Sequence, residues 1–178
     1  MEFKGSAPWP TLQRHIVRTV IAMTNLRGGG TIVIGMSEGT DSWQPTGVTQ
    51  QDLATFDPDV VVEHVNRFAS QPVTLDMVIV DHEARDFLAI HSREFDRSPT
   101  ICRRACDANG SGFQAGTILI RPGGKPCTRP VRDAVEVQDL LDLAAEKRAR
   151  SILEAGRRIG LTLAQDDSDR FDRELDGL

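Results

Sequence analysis

The stretch NLRGGGTIVIGM, residues 25–36, constrains the fold more than any other. Three consecutive glycines permit a sharp change of chain direction, and the β-branched block Thr31–Ile34 that follows belongs in a strand. Upstream, Leu12, Ile16, Val20 and Met23 recur at helical spacing, with Arg14 and Arg18 displaced from that face. The pattern predicts a helix with Thr11 as N-cap, ended near Asn25–Gly28 by a left-handed glycine. Thr31–Ile34 then reads as a fully buried strand, since it lacks polar alternation. Dinucleotide and mononucleotide folds run strand, glycines, helix, and here the order is reversed. The Gly-Gly-Lys at 123–125 is followed by Pro126, which forbids the helix start a phosphate loop requires. The triple glycine therefore reads as a helix cap and strand entry, not a phosphate cradle.

The remaining pattern is mixed. Asp57-Pro58 opens a second helix carrying Val61, Val65 and Phe68 on its apolar side. VTLDMVIVDHEARDFLAIHS forms a hairpin about Glu83 and Ala84, and TICRRA and TILIRP read as two further strands. A long helix spans about Val135–Arg158, with Leu140, Leu141 and Ala144 inward. The sum is a mixed α/β fold: a single compact domain over 1–160 with a mixed central sheet, two helices among the strands and a long C-terminal helix. Residues 161–178 form an acidic tail with six acids and two arginines, expected to be flexible.

No apolar run approaches the ~18 residues a membrane span needs. MEFKGSAPWP lacks the basic and apolar regions of a signal peptide. A cytoplasmic chain with no membrane partner is expected. Cys102, Cys106 and Cys127 are an odd set and read as reduced thiols; a zinc site of Cys102, Cys106 and His91 would have only weak spacing support. No histidine is spaced with a nucleophile, and His15 falls near the apolar stripe of the first helix.

Outside the tail the chain is close to neutral, yet nine bases crowd into 85–132, eight of them arginine. Several flank Gly- or Pro-rich loops that can approach a sugar-phosphate backbone, and arginine suits bidentate phosphate contact. Arg103, Arg104, Arg121, Lys125 and Arg129 are the candidate nucleic-acid contacts. An ordinary arginine-rich surface would give the same composition.

Several pieces in order resemble one known pattern: EFK at 2–4, IAMTNLRGGGTIVIGM, PTGV at 45–48, SQP at 70–72 and TILIRPGGKPCTRP. Over about residues 2–143 the chain resembles the Schlafen-type AlbA-like domain, also called divergent AlbA. The family motif falls on Asn25, Gly29, Gly30 and Gly35. The resemblance implies a DNA- or RNA-binding module, regulatory and without catalysis of its own, that pairs as a homodimer to build a clamp. It also implies an alternative, a metal-dependent nuclease with Glu2 and Glu38 as carboxylates and magnesium or manganese as cofactor. The family's third carboxylate lies upstream of Glu-Phe-Lys, a position this sequence does not contain. Under the binding reading no cofactor is expected. A third possibility is a protein-interaction domain using the last helix and acidic tail.

Overall fold

A computed structural model describes residues 1–40, 42–106, 112–122 and 127–160. Strand β1 (Glu2–Lys4) leads through helix α1 (Trp9–Thr24) into β2 (Gly30–Ile34), and β1 and β2 lie side by side in parallel. A parallel pair needs a crossover, and α1 supplies it. Two short strands, β3 (Met36–Glu38) and β4 (Trp43–Pro45), pair with each other. Helices α2 (Gln50–Leu53) and α3 (Pro58–Asn66) precede the hairpin of β5 (Leu75–His82) and β6 (Arg85–Ser92). Antiparallel pairing of β2 with β6 completes a mixed sheet of order β1-β2-β6-β5. The short pair β7 (Leu119–Ile120) and β8 (Arg129–Pro130) follows, then α4 (Ala134–Arg158). These elements make the expected mixed α/β architecture with its long C-terminal helix. The chain divides into two units, Met1–Ala144 and Ala145–Leu178, with every strand in the first.

α1 begins two residues before the expected N-cap. Its N-cap is Pro8, and Pro10 sits within the first turn, where a missing N–H is no loss. The Trp9 N–H is satisfied from outside the helix by Thr55 Oγ1 at 2.8 Å. Ile16, Val17, Val20, Ile21 and Met23 are buried against Ile32, Ile34, Leu88 and Ile90 of the sheet. His15 is exposed and takes no part in that face.

The helix ends on Asn25, whose φ of −90° is not left-handed. The left-handed residues are Gly28 and Gly29, in the turn that follows. Gly29 also lies so close to β6 that an added Cβ would fall 2.0 Å from the Ser92 carbonyl oxygen. Asn25 itself is buried and fully used. Its Nδ2 donates to the carbonyls of Thr100 and Leu119, each at 2.9 Å, and its Oδ1 accepts the Thr100 N–H at 2.7 Å. One amide thus ties the end of α1 to β7 and to the segment entering Ile101.

β2 is not buried on both faces. Ile32 and Ile34 are buried while Thr31 and Val33 are only half-buried, because α1 covers one side of the sheet. Registered pairing places Phe3, Val33, Ala89 and Val78 in one row on the other side. TICRRA forms isolated bridges, Ala69 with Cys102 and Ile101 with Ile118, rather than a continuous strand. In α4, Leu140 and Leu143 are buried against Phe95 and Ile120, whereas Leu141 is 52% exposed. Leu140 and Ala144 thus face inward as expected, and Leu143 takes the place expected of Leu141. The acidic tail at 161–178 lies outside the described residues.

Asn25→Ala should lower unfolding stability by about 2–4 kcal/mol, since three buried backbone groups lose their partner. Gly29→Ala should cost at least about 2 kcal/mol, from the left-handed backbone and the overlap with Ser92. Denaturant melts of both variants check this, and a loss under 1 kcal/mol in either (about the size of an ordinary surface change) would contradict it.

Candidate functional site

On the edge strand β1, Glu2 and Lys4 point to the same side, two residues apart. Lys4 Nζ lies 2.8 Å from Glu2 Oε1, and Arg121 Nη2, from the end of β7, lies 2.8 Å from Glu2 Oε2. The Arg121 side chain is only 6% exposed. A guanidinium so far from water requires a partner, and Glu2 provides the charge. Arg121 also approaches Thr128 Oγ1 at 3.4 Å and the Met1 carbonyl at 3.5 Å. From the side of α1, Arg18 Nη2 donates to the Thr128 carbonyl at 2.6 Å, while Arg18 Nε is buried and has no partner among the described residues.

Two cations thus share a single carboxylate, and a third, Arg18, meets the same Thr128 that Arg121 approaches. Burial alone would raise the Glu2 pKa, but hydrogen bonds from Lys4 and Arg121, with their charges, outweigh it and hold the carboxyl below its ordinary 4.5. Both oxygens of Glu2 are committed to cations. The arrangement leaves net positive charge, which suits an anionic group.

The other sequence candidates fall elsewhere. Glu38 is exposed at the end of β3 opposite Trp43, and it is not among the hydrogen-bonded partners of Glu2. Arg129 makes a two-pronged pair with Glu136, which also accepts the Arg132 N–H at 2.9 Å. Hydrogen bonds from Arg129 and then the Arg132 backbone bring the Glu136 pKa down to about 2. Asp133 Oδ1 in turn accepts the Glu136 N–H at 3.0 Å, so this acidic pair caps α4. Arg103 and Arg104 are exposed beside the Ala69–Cys102 bridge, and neither is bonded into the Glu2 group. Lys125 lies outside the described residues.

Asn25, Gly29 and Gly30 lie where α1 turns into β2, and Gly35 follows the far end of that strand. A Cβ on Gly30 would meet Met23 at 2.6 Å, and Gly35 has φ 108° where the chain leaves β2. Cys102 and Cys106 are buried, and burial pushes the Cys102 thiol up to about 12, unfavourable for a zinc thiolate. Among the described residues no group of three or more His, Cys, Asp or Glu side chains is placed to hold a metal. None of the described helices is long and apolar enough to cross a membrane.

Arg18 and Lys4 were not singled out in the sequence. Arg18 did stand off the apolar stripe of α1, but nothing local in the sequence links it to Thr128 or Arg121.

A β1–α1–β2 crossover on a mixed sheet, with α1 ended by an asparagine and a glycine turn, is the frame of this α/β domain. The chain belongs to the Schlafen, AlbA_2 family, whose model matches residues 1–126. Among solved structures, it is similar to the DIP2311 protein from Corynebacterium diphtheriae, at 18% identity and a TM-score of 0.52. That match covers 78% of this chain but 23% of the other, so this chain spans under a quarter of that protein. It is also similar to the N-terminal domain of a protein from Nitrosomonas europaea described as related to the ATP-dependent DNA helicase RecG. There the identity is 17% and the TM-score 0.43, covering 75% of this chain and 84% of that one. No curated protein gave a significant match.

Glu2→Gln should destabilise the fold by about 3 kcal/mol by stranding the buried Arg121. Adding Arg121→Met should recover part of that loss. The Glu2 pKa is lowered in the fold, so its contribution is complete above pH 4.5 and disappears as pH falls through the folded-state value. Stability curves from pH 7 to pH 2 should therefore fall less steeply for Glu2→Gln than for the parent below that point. Equal slopes would show that the ion pair is energetically silent.

Proposed function

We propose that this chain is a nucleic-acid-binding module of DNA or RNA, regulatory rather than catalytic, and working as a pair of copies. Family membership supports a nucleic-acid-related domain. The observation that carries the reading is a local excess of cations: Lys4 and Arg121 share the Glu2 carboxylate, and Arg18 and Arg121 both meet Thr128. A phosphodiester oxygen meeting the half-exposed Lys4 and Arg18 side chains would offset the surplus charge. The commitment of both Glu2 oxygens to cations weighs against Glu2 as a metal-holding carboxylate of a nuclease.

Because the chain outside its tail is close to neutral, attraction to a polyanion is local. Three cations imply neutralisation of two or three phosphates, and so a log–log salt slope of roughly −1.4 to −2.7. Fluorescence anisotropy of labelled single-stranded RNA, single-stranded DNA and duplex DNA across a salt series measures this directly. Arg18→Ala should weaken binding about tenfold on every sequence and reduce the slope by about 0.7–0.9. Absence of binding to all three at low salt, or binding indifferent to Arg18→Ala, would overturn this site. Parallel incubations with magnesium or manganese read cleavage, and cutting that Glu38→Ala abolishes would replace the binding reading with the nuclease.

A further inference from the structure

β5 is the terminal strand of the main sheet, and among the described residues no strand pairs with its outer edge. It is also the most apolar exposed segment of the first unit: Val78, Ile79 and Val80 are 56%, 55% and 46% exposed. An eight-residue edge of this kind presents a ready template for another strand, and single-chain proteins usually blunt such edges.

The hairpin geometry determines which backbone groups face outward. Glu83 and Ala84 both have left-handed φ, 51° and 58°, and join the His82–Arg85 pair in a two-residue turn. A turn of that type closes on a hydrogen-bonded pair, and bonded pairs then alternate along the ladder. His82, Val80, Val78 and Asp76 therefore bond to β6. Asp81, Ile79, Met77 and Leu75 turn their N–H and C=O groups away from the sheet.

We propose that this outer edge pairs antiparallel with β5 of a second copy, about a two-fold axis at Ile79. The surface deepens the pairing of two copies proposed above and does not depend on the nucleic-acid reading. Centred there, Ile79 meets Ile79 and Met77 meets Asp81, each pair with outward-facing backbone groups to exchange. Val78 packs beside the other copy's Val80, in the non-bonded pairs where side chains approach most closely. Asp76, whose carboxylate Arg93 of its own chain already holds on both oxygens, comes opposite His82. A shift of the axis by half a residue toward Val78 sets Asp76 against Asp81, and a half-residue shift toward Val80 sets it against Glu83. Like charges in direct opposition are unfavourable, and both shifts also misalign the hydrogen-bonding groups. Pairing at Ile79 joins two four-stranded sheets into one continuous sheet. The arrangement is isologous and closed, so it stops at two copies.

Sedimentation of the full chain, in a Cys127→Ser background to remove the exposed thiol, tests the surface. The parent should sediment as a concentration-dependent dimer. Ile79→Pro removes an outward N–H while the β6-facing groups of Val78 and Val80 stay intact, and His82→Asp sets a carboxylate opposite Asp76. Each should weaken self-association at least about tenfold. Ile79→Cys should be trapped as a disulfide dimer under oxidised glutathione, because a hydrogen-bonded pair spans ~5.5 Å between Cα atoms, within disulfide reach. If circular dichroism shows that Ile79→Pro does not fold, the other two variants decide. A chain that stays monomeric overturns the proposal. So does a dimer that neither variant weakens and Ile79→Cys does not trap, which would leave pairing itself standing through another surface.

Discussion

The side-chain amide of Asn25 is the interaction on which the rest of the first unit depends. It sits at the end of α1 and bonds to Thr100 on both its N–H and C=O, and to Leu119 at the start of β7. Only a group with two donors and an acceptor in one plane can hold three backbone groups that belong to separate segments. By fixing β7 against α1, it brings Arg121, two residues past Leu119, to the side of α1 that carries Arg18. The cationic group is thus a consequence of the cross-links made by one side chain at the helix end. Hydrophobic burial drives α1 onto the sheet but is non-directional, so it cannot set this register by itself.

The second organising fact is the asymmetry of the sheet. α1 covers one face, where Ile32, Ile34, Leu88 and Ile90 are buried, while Val78 in the row with Phe3, Val33 and Ala89 stays largely exposed. A sheet of this kind can tolerate a polar residue on β1 only at its margin, and Glu2 lies there, on the edge strand and on the helix side. The opposite margin is β5, where the covering layer gives out and both faces of the strand meet solvent. The nucleic-acid reading and the self-pairing reading therefore use opposite edges of one sheet.

Legibility in the sequence follows the range of the interactions. The β5–β6 hairpin was readable because a charged two-residue turn separates two apolar runs, and α3 because Asp57 and Pro58 announce its start. The family motif was readable because Asn25 and the glycines occur in a short, ordered block. The burial pattern of β2 was not: its residues permit a doubly covered strand, and only the missing second helix layer decides otherwise. In α4, Leu140, Leu141 and Leu143 offer two apolar phases, and contact with Phe95 and Ile120 selects one. The site was the least legible part. Arg121 and Arg129 look alike as exposed arginines beside a Gly/Pro-rich turn, yet one pairs with Glu2 across the chain and the other with Glu136 a few residues on.

Those two ion pairs also separate structure from binding among the arginines. The Arg129 guanidinium is held by both oxygens of a carboxylate, so a phosphate arriving there must displace an equally charged, already oriented acceptor. Arg121 is also paired, but its carboxylate is shared with Lys4, and Arg18 adds charge without adding an acid. Local surplus, rather than the number of arginines, decides which surface attracts a polyanion in a chain of low net charge. On that argument Glu2 does more than neutralise Arg121. It fixes the guanidinium beside β1, while Arg18, whose acceptor among the described residues is a backbone carbonyl, keeps a charge that no carboxylate among them pairs.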